Sequence, residues 1–315
     1  MQAMTKQRHM DMLNGPLWSK LPRYALPVAA TGILGQLFNA ADVAVVGNFT
    51  GELRTVAVAA VGANSPVIGL LLNLFIGIAL GANVVIANAI GRGDRETVHR
   101  AVHTSIVTAL VGGVLVALFG QLIAGGLMGL LNVPEDVYPL ALSYLRIYLL
   151  GMPVILLYNF EAAIFRSIGD TKMPLAALTV SGILNVILNL FFVIVCKLDV
   201  AGVALASTIA QCVSAGLILH ALTKVRDCYA LDFHKIKLDI PTTKRILLLG
   251  IPAGFQNAVF AIANLFIQAG VNSFDSLMVK GNSAAANADA LIYDAMAAFY
   301  MACASFMSQN YGAGK

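Results

Sequence analysis

The chain has 315 residues, 59% of them hydrophobic and only 11% charged, with a formal net charge of +4 and a mean hydropathy of +0.81. A soluble domain is roughly half apolar and about a quarter charged. A chain this poor in charge cannot cover a water-facing fold, which excludes a soluble enzyme, a nucleic-acid binder and a disordered regulator and leaves a polytopic membrane protein.

In chain order, residues 1–23 are polar, with Lys6, Arg8, Asp11, Lys20 and Arg23, and lack the apolar core of a cleaved signal peptide. Eight apolar stretches follow at 24–49, 55–90, 101–131, 138–162, 173–196, 199–222, 246–272 and 283–310. Each reaches the roughly 20 residues that cross a hydrocarbon core as helix. Continuous apolar runs without period-2 alternation exclude a β-barrel. The expected fold is an all-α polytopic membrane helix bundle. Lys and Arg set its orientation: with the N-terminus cytoplasmic, 16 fall on inside segments, three outside (Arg54, Lys197, Lys280) and one, Arg146, within a span. The expectation is a multi-pass protein of the cell (inner) membrane with both ends inside. Its organisation reads as a cytoplasmic N-terminus (1–23), a six-span lobe (24–222), a cytoplasmic linker (223–245) containing Pro241, and part of a second lobe (246–315). Cys196, Cys212, Cys228 and Cys303 form no CxxC pair and read as reduced.

Sliding the chain by 225 residues aligns 26–49 with 251–274 and superposes Pro27 on Pro252, Asn39 on Asn264, Ala44 on Ala269, Val46 on Val271 and Phe49 on Phe274. Internal repeats of this kind are common in transporters. A second lobe of equal length would end near residue 449, about 134 residues beyond Lys315, so the chain is expected to be C-terminally truncated.

Ionisable groups inside spans are costly and mark function. The clearest is Asp42, with Asn39 one turn and Gln36 nearly two turns before it on the same face. The cost of a bare carboxylate among apolar side chains suits a proton carrier; with amide oxygens nearby it equally suits Na⁺, a hard cation that prefers oxygen. A packing Asp satisfied by hydrogen bonds is the alternative. Asn185 and Asn189 share a face of the fifth span with Ser181, as ligands or as interhelical glue. Ser207 and Thr208 fit hydroxyls bonded back to their own helix. Glu161 reads as paired with Arg166 or snorkelling, and Arg146 as structural, paired with a carboxylate elsewhere. Of Asp289 and Asp294, one lines a cavity and the other pairs. Asn257, Asn264 and Gln268 form a polar stripe. Pro27 and Pro252 should kink or open their helices, or are simply tolerated. Gly77/Gly81 and Gly250/Gly254 are generic close-packing spacings. No HExxH, GxSxG or prenyl-phosphate motif occurs, and the terminal GAGK lacks Walker spacing, so enzymatic activity is not expected.

Taken together, AADVAVVGNFTGE (40–52), AAVGA (59–63), IGRGD (90–94), AIFRSIGDTKMP (163–174), NVILNLFFV (185–193), GVALAS (202–207) and SQNYGAGK (308–315) resemble the multidrug and toxic compound extrusion (MATE) transporters, in their DinF-like bacterial branch. The resemblance implies twelve spans in two six-helix lobes around a cleft, eight of them present here. It also implies export of amphipathic, cationic drugs or toxins driven by Na⁺ or H⁺. It carries the coupling acid onto Asp42, its span-five partner onto Asn185, the bending proline onto Pro27 and an oxygen ligand onto Ser207. Asn39 and Asn189 complete the expected cation-coupling set. Many relatives have Asp-Pro where this chain has Asn189-Leu190, so one carboxylate and a single monovalent ion are expected. Beyond the coupling ion no cofactor or metal is expected. The partners would be the small-molecule substrate and the bilayer, with no nucleic acid, and the complete protein would be monomeric. Runner-up readings are a lipid-linked saccharide flippase of the same superfamily, which needs a basic cavity, a non-transporting truncated membrane protein, or a channel. Residues 1–315 alone are not expected to transport.

Overall fold

A computed structural model describes residues 10–271 and 276–315, without the side chains at 265, 268, 269, 276–284 and 286–288. Lys6, Arg8 and Lys280, Gln268 of the polar stripe, and Ala269 and Phe274 of the repeat lie outside it. Among the described residues there are nine α-helices and no strand: α1 (Leu17–Phe49), α2 (Arg54–Gly91), α3 (Arg95–Leu130), α4 (Tyr138–Leu150), α5 (Met152–Ser167), α6 (Lys172–Leu190), α7 (Asp199–Lys224), α8 (Ile240–Val271) and α9 (Ser276–Gly312). Seven are long and apolar enough to cross a membrane, and α4 with α5 makes an eighth span bent by 49°.

The bend has a local cause. Pro153, two residues into α5, has no N–H to donate and its ring crowds the preceding turn, so the helix breaks at Gly151. Most helices overrun the expected spans: α1 begins at Leu17, α8 at Ile240, and α5 runs on to Ser167 rather than ending near 162. Such lengths exceed the apolar layer, and the helices tilt or project from it. The prolines inside α1 and α8 do not open them: α1 is helical throughout Pro22 and Pro27, and α8 throughout Pro252. Beside Pro27, Thr31 Oγ1 donates to the Pro27 carbonyl at 2.8 Å.

α2 is the hub, packed on α1, α3, α4, α5, α8 and α9. Its antiparallel contact with α8 depends on glycines. A β-carbon on Gly77 would collide with the Gly254 backbone, and one on Gly81 with the Ile246 carbonyl and Gly250. The two small-xxx-small spacings, noted separately in the sequence, are thus each other's partners. With little hydrophobic drive between helices in lipid, such backbone approach is what holds them.

Arg92, Arg95, Arg166, Lys172 and Lys224 lie at one end of the bundle, here called the basic end. The linker is pinned there rather than loose. Tyr229 and Leu231 are buried in the main core, and Leu231 N donates to Leu222 O at 3.1 Å. His103 Nδ1 is 2.7 Å from His99 O and donates to it, leaving Nε2 to accept the Asp232 N–H at 3.0 Å. Asp239 ends the linker by accepting from the N–H and hydroxyl of Thr242, the opening residues of α8. Those hydrogen bonds, foremost that of the Thr242 side chain, hold its carboxyl below the ordinary carboxylate range.

Also at the basic end, α1 and α9 enclose a small core of Met12, Tyr24, Val28, Ala298, Ala302 and Phe306. Tyr24 OH lies 2.6 Å from Ser305 Oγ and 2.9 Å from the Arg166 carbonyl, and Ser305 Oγ donates to Asn83 Oδ1 at 3.1 Å. Gln309 Nε2 donates to Ser167 O at 2.8 Å and Asn310 Nδ2 to Met12 O at 3.0 Å. Four helices from both parts of the chain are tied together at this point.

Two outcomes follow for this architecture. Gly77→Val should lower stability by ~1–3 kcal/mol through overpacking, read as a lower unfolding temperature in detergent, whereas Gly126→Val, with open space around it, should not. Because the folded-state pKa of Asp239 is depressed, its contribution is present above the unfolded value of about 3.9 and is lost as pH falls through the folded value. Hydrogen exchange at 225–239, corrected for intrinsic rates, should therefore rise selectively in acid, and Asp239→Asn should remove that selectivity.

Candidate functional site

Asp42 lies near the end of α1 remote from the basic end and is only 6% exposed. Each carboxylate oxygen is held by a different helix. Asn189 of α6 donates its Nδ2 to Asp42 Oδ1, and Ser207 of α7 donates its hydroxyl to Oδ2 at 3.1 Å. Asn185 closes the ring: its Nδ2 donates to Ser207 Oγ at 3.1 Å, and its Oδ1 accepts from Asn189 Nδ2 at 3.2 Å. Four side chains from three helices form one cycle, and among the described residues Asn189 Oδ1 is left buried without a hydrogen-bond partner. Buried polar atoms are nearly always paired, so this orphan acceptor marks a place where a proton donor or cation is called for.

Local structure sets the geometry. α1 and α6 run parallel, and the ring of Phe38 occupies the notch at Gly182, where any β-carbon would overlap it. One turn further along α1, and one to two turns further along α6, Asp42 meets Asn185 and Asn189. Directly after Leu190 the helix widens into a π turn, Phe191–Val195, with Cys196 N donating to Phe191 O at 3.1 Å. Such turns are frequent at functional sites. Tyr144 and Tyr148 of α4, with rings 6.3 Å apart, lie close enough to interact electrostatically with Asp42. Gly182 and both tyrosines were missed in the sequence; the small residue three before Asn185 was the available signal for the first.

The structure does not bring every expected residue to this ring. Asn39, although on the same face as Asp42 by spacing, is exposed and makes no hydrogen bond with it: a three-residue step rotates it out of the α1–α6–α7 seam. Pro27 lies several turns away, between the ring and the Tyr24 contact. Thr208 bonds back to Ala204 O at 2.9 Å as read from the sequence, whereas Ser207 turns to Asp42 instead; Ser181, read as ligand or interhelical glue, bonds back to Leu178 O at 3.1 Å. Glu161 neither snorkels nor pairs with Arg166: it is 0% exposed and both carboxylate oxygens lack partners. Arg146 is exposed on α4 and meets no carboxylate among the described residues, because α4 turns it off the packed face. Asp289 is exposed. Asp294 of α9 instead packs on the bare face of Gly32 in α1, hydrogen-bonded to Gln36. Asn257 Nδ2 donates to Asn73 O at 3.3 Å, and Asn264 is exposed. Among the described residues no His, Cys, Asp or Glu cluster could hold a transition metal.

Residues 27–191, just over half of the chain, match the MatE family model. The chain belongs to the MatE family. It is 26% identical over 310 residues to the probable multidrug resistance protein YpnP of Bacillus subtilis, covering 96% of this chain and 67% of that one. It is 26% identical over 264 residues to the probable multidrug resistance protein NorM of Thermotoga maritima, covering 81% and 56%. A protein of Shewanella oneidensis named FAD transporter is 24% identical over 319 residues, covering 98% and 68%. The chain thus spans from 56% to about two thirds of the length of these relatives. Its fold matches a crystal structure of a MATE protein in the bent conformation (TM-score 0.86, 24% identity, 96% of this chain and 67% of that one). It equally matches an outward-facing multidrug resistance MATE transporter (TM-score 0.86, 24% identity, 96% and 66%).

The Phe38 notch gives a test of the site's construction. Gly182→Ala should destabilise the protein by ~1–3 kcal/mol by overpacking, and Phe38→Leu in the same chain should recover part of the loss, both read by thermal unfolding.

Proposed function

We propose that this member of the MatE family serves a cation-coupled antiporter. It exports amphipathic, cationic compounds across the cell membrane in exchange for Na⁺ or H⁺, with the basic end facing the cytoplasm and Asp42 as the coupling group. The observation that carries the reading is the closed ring of Asp42, Asn185, Asn189 and Ser207 with its one orphan oxygen. An ionised carboxylate in this seam is met only by two neutral donors, which lower but do not remove the cost of burying its charge. A proton or one monovalent cation cancels that charge. With a cation present, the Asn189 amide is free to turn its Oδ1 inward, which adds an oxygen ligand and pairs the orphan.

α1 supplies the link from ion to transport. It carries Asp42 toward one end and Tyr24 at the other, where Tyr24 ties to Ser305 of α9 and to the α5 carbonyl of Arg166. Pro27 lies between, at a position whose missing N–H makes α1 easier to bend there than elsewhere. A cation that rearranges the ring shifts α1 against α6 and α7, and that motion reaches the contact between the two parts of the chain. Coupling requires cation and drug to favour opposite arrangements, since a ligand without differential affinity shifts nothing.

The assay is efflux of a cationic dye from energised cells producing the full-length gene product, with FAD in the substrate panel because of the Shewanella relative. Asp42→Asn should reduce cation-driven efflux to the level of cells lacking the protein while membrane insertion is unchanged. Ser207→Ala should weaken it by about tenfold, the effect of one lost hydrogen bond to a charged group. Undiminished efflux in Asp42→Asn would remove Asp42 from the mechanism, and export of FAD without dye would replace the substrate class.

A further inference from the structure

Glu161 is the one glutamate of the chain that is buried: Glu52, Glu96 and Glu135 are exposed, whereas Glu161 is 0% exposed, with neither oxygen hydrogen-bonded. Its surroundings are in register with further unpaired oxygens. On α3, Gly113 abuts Pro153 and Gly112 abuts Leu156, so the antiparallel pairing of α3 with α5 brings Ser105 level with Glu161 and Thr108 level with Tyr158. On α7, Thr208 abuts Gly151. Both helices end at the basic end, which places Ser214 level with Tyr158. The hydroxyls of Ser105, Thr108, Tyr158 and Ser214 are all buried and, like Glu161, have no hydrogen-bond partner. Glu161 thus stays unpartnered inside the bundle among the described residues, six residues, or about 9 Å of helix, from the end of α5.

Among the described residues no charged side chain offsets this acid. On α5 itself Tyr158 interacts with it electrostatically, and Arg166 is at the helix end. On α3, His99 and His103 stack on each other and His103 is committed to the linker. Cys212 and His220 of α7 and Lys172 of α6 are exposed. Tyr144 and Tyr148 of α4 lie by Asp42. The stretch of α2 facing α5, Ile76 to Asn83, carries no titratable group.

We infer that Glu161 is a second proton-binding site, distinct from the Asp42 ring. A proton needs no cavity, and it removes the charge whose burial without a partner is costly. The site also has an output. The turns of α5 that follow Glu161 offer the carbonyls of Ala163, Arg166 and Ser167 to Asn83, Tyr24 and Gln309, the contacts that close the basic end. Loss of the Glu161 proton places a charge beneath those contacts and loosens them. The inference does not rest on the role of Asp42.

The test is infrared difference spectroscopy of the purified full chain carrying ¹³C-labelled glutamate, titrated upward from neutral pH. A label-sensitive carbonyl band of a neutral carboxylic acid should be present at neutral pH and disappear in base. It should persist in Asp42→Asn and be absent from Glu161→Gln. Because the label reports only on glutamate, the wild-type spectrum decides the matter even if Glu161→Gln does not fold. No such band at neutral pH, a band unchanged at every pH, or a band lost on adding Na⁺ at constant pH would each overturn the inference.

Discussion

A carboxylate buried in an apolar bundle has to be met by donors, and α1 cannot supply them to its own Asp42, because its backbone N–H groups are spent within the helix. The donors come from α6 and α7, one for each oxygen. That requirement fixes how three helices stand against one another: Gly182 must be bare so that Phe38 can seat, and Asn185 and Asn189 must share a face so that one reaches Ser207 and the other reaches Asp42. The packing and the chemistry of this seam are one constraint. A side chain that relaxed the packing would also open the ring.

The same helix carries that constraint to the far end of the molecule. α1 is continuous from the Tyr24 contact to the Asp42 ring, and α2, α5 and α9 converge on Tyr24 through Asn83, Arg166 and Ser305. Contacts between the two parts of the chain are of two kinds. Along α2 and α8 they are mainly geometrically exacting glycine-to-backbone approaches, with a side-chain hydrogen bond from Asn257 to the Asn73 carbonyl. At the basic end both kinds occur: Gly91 abuts the Gln309 carbonyl and Gly312 that of Asn88, beside hydrogen bonds from side chains to carbonyls and hydroxyls.

Much of this was readable in the residues. The eight spans follow from apolar length alone, and Asp42, Asn185, Asn189 and Ser207 stood out because polar groups in spans are expensive. Asn39 shows the limit of spacing arguments: a helical wheel says which residues share a face, but not where the neighbouring helix cuts that face. Glu161 shows another. Five residues from Arg166, it reads as half of an ion pair, yet α5 turns the two side chains to different neighbours and buries the acid alone.

What the sequence determined by itself is what depends on composition and local period: a membrane bundle, its helices, its proline and glycine positions, and which side chains are too costly to be accidental. Hydrophobic burial in a bilayer is nearly independent of which helix lies beside which, so these features survive without a partner. Only the tertiary structure decided which costly groups meet. Hydrogen bonds act over about 3 Å, whereas Asp42 and Ser207 are 165 residues apart in the chain. The register that brings them together is set by side chains as remote as Phe38 on Gly182 and Gly77 on Gly254, whose shapes acquire meaning only when the helices are packed.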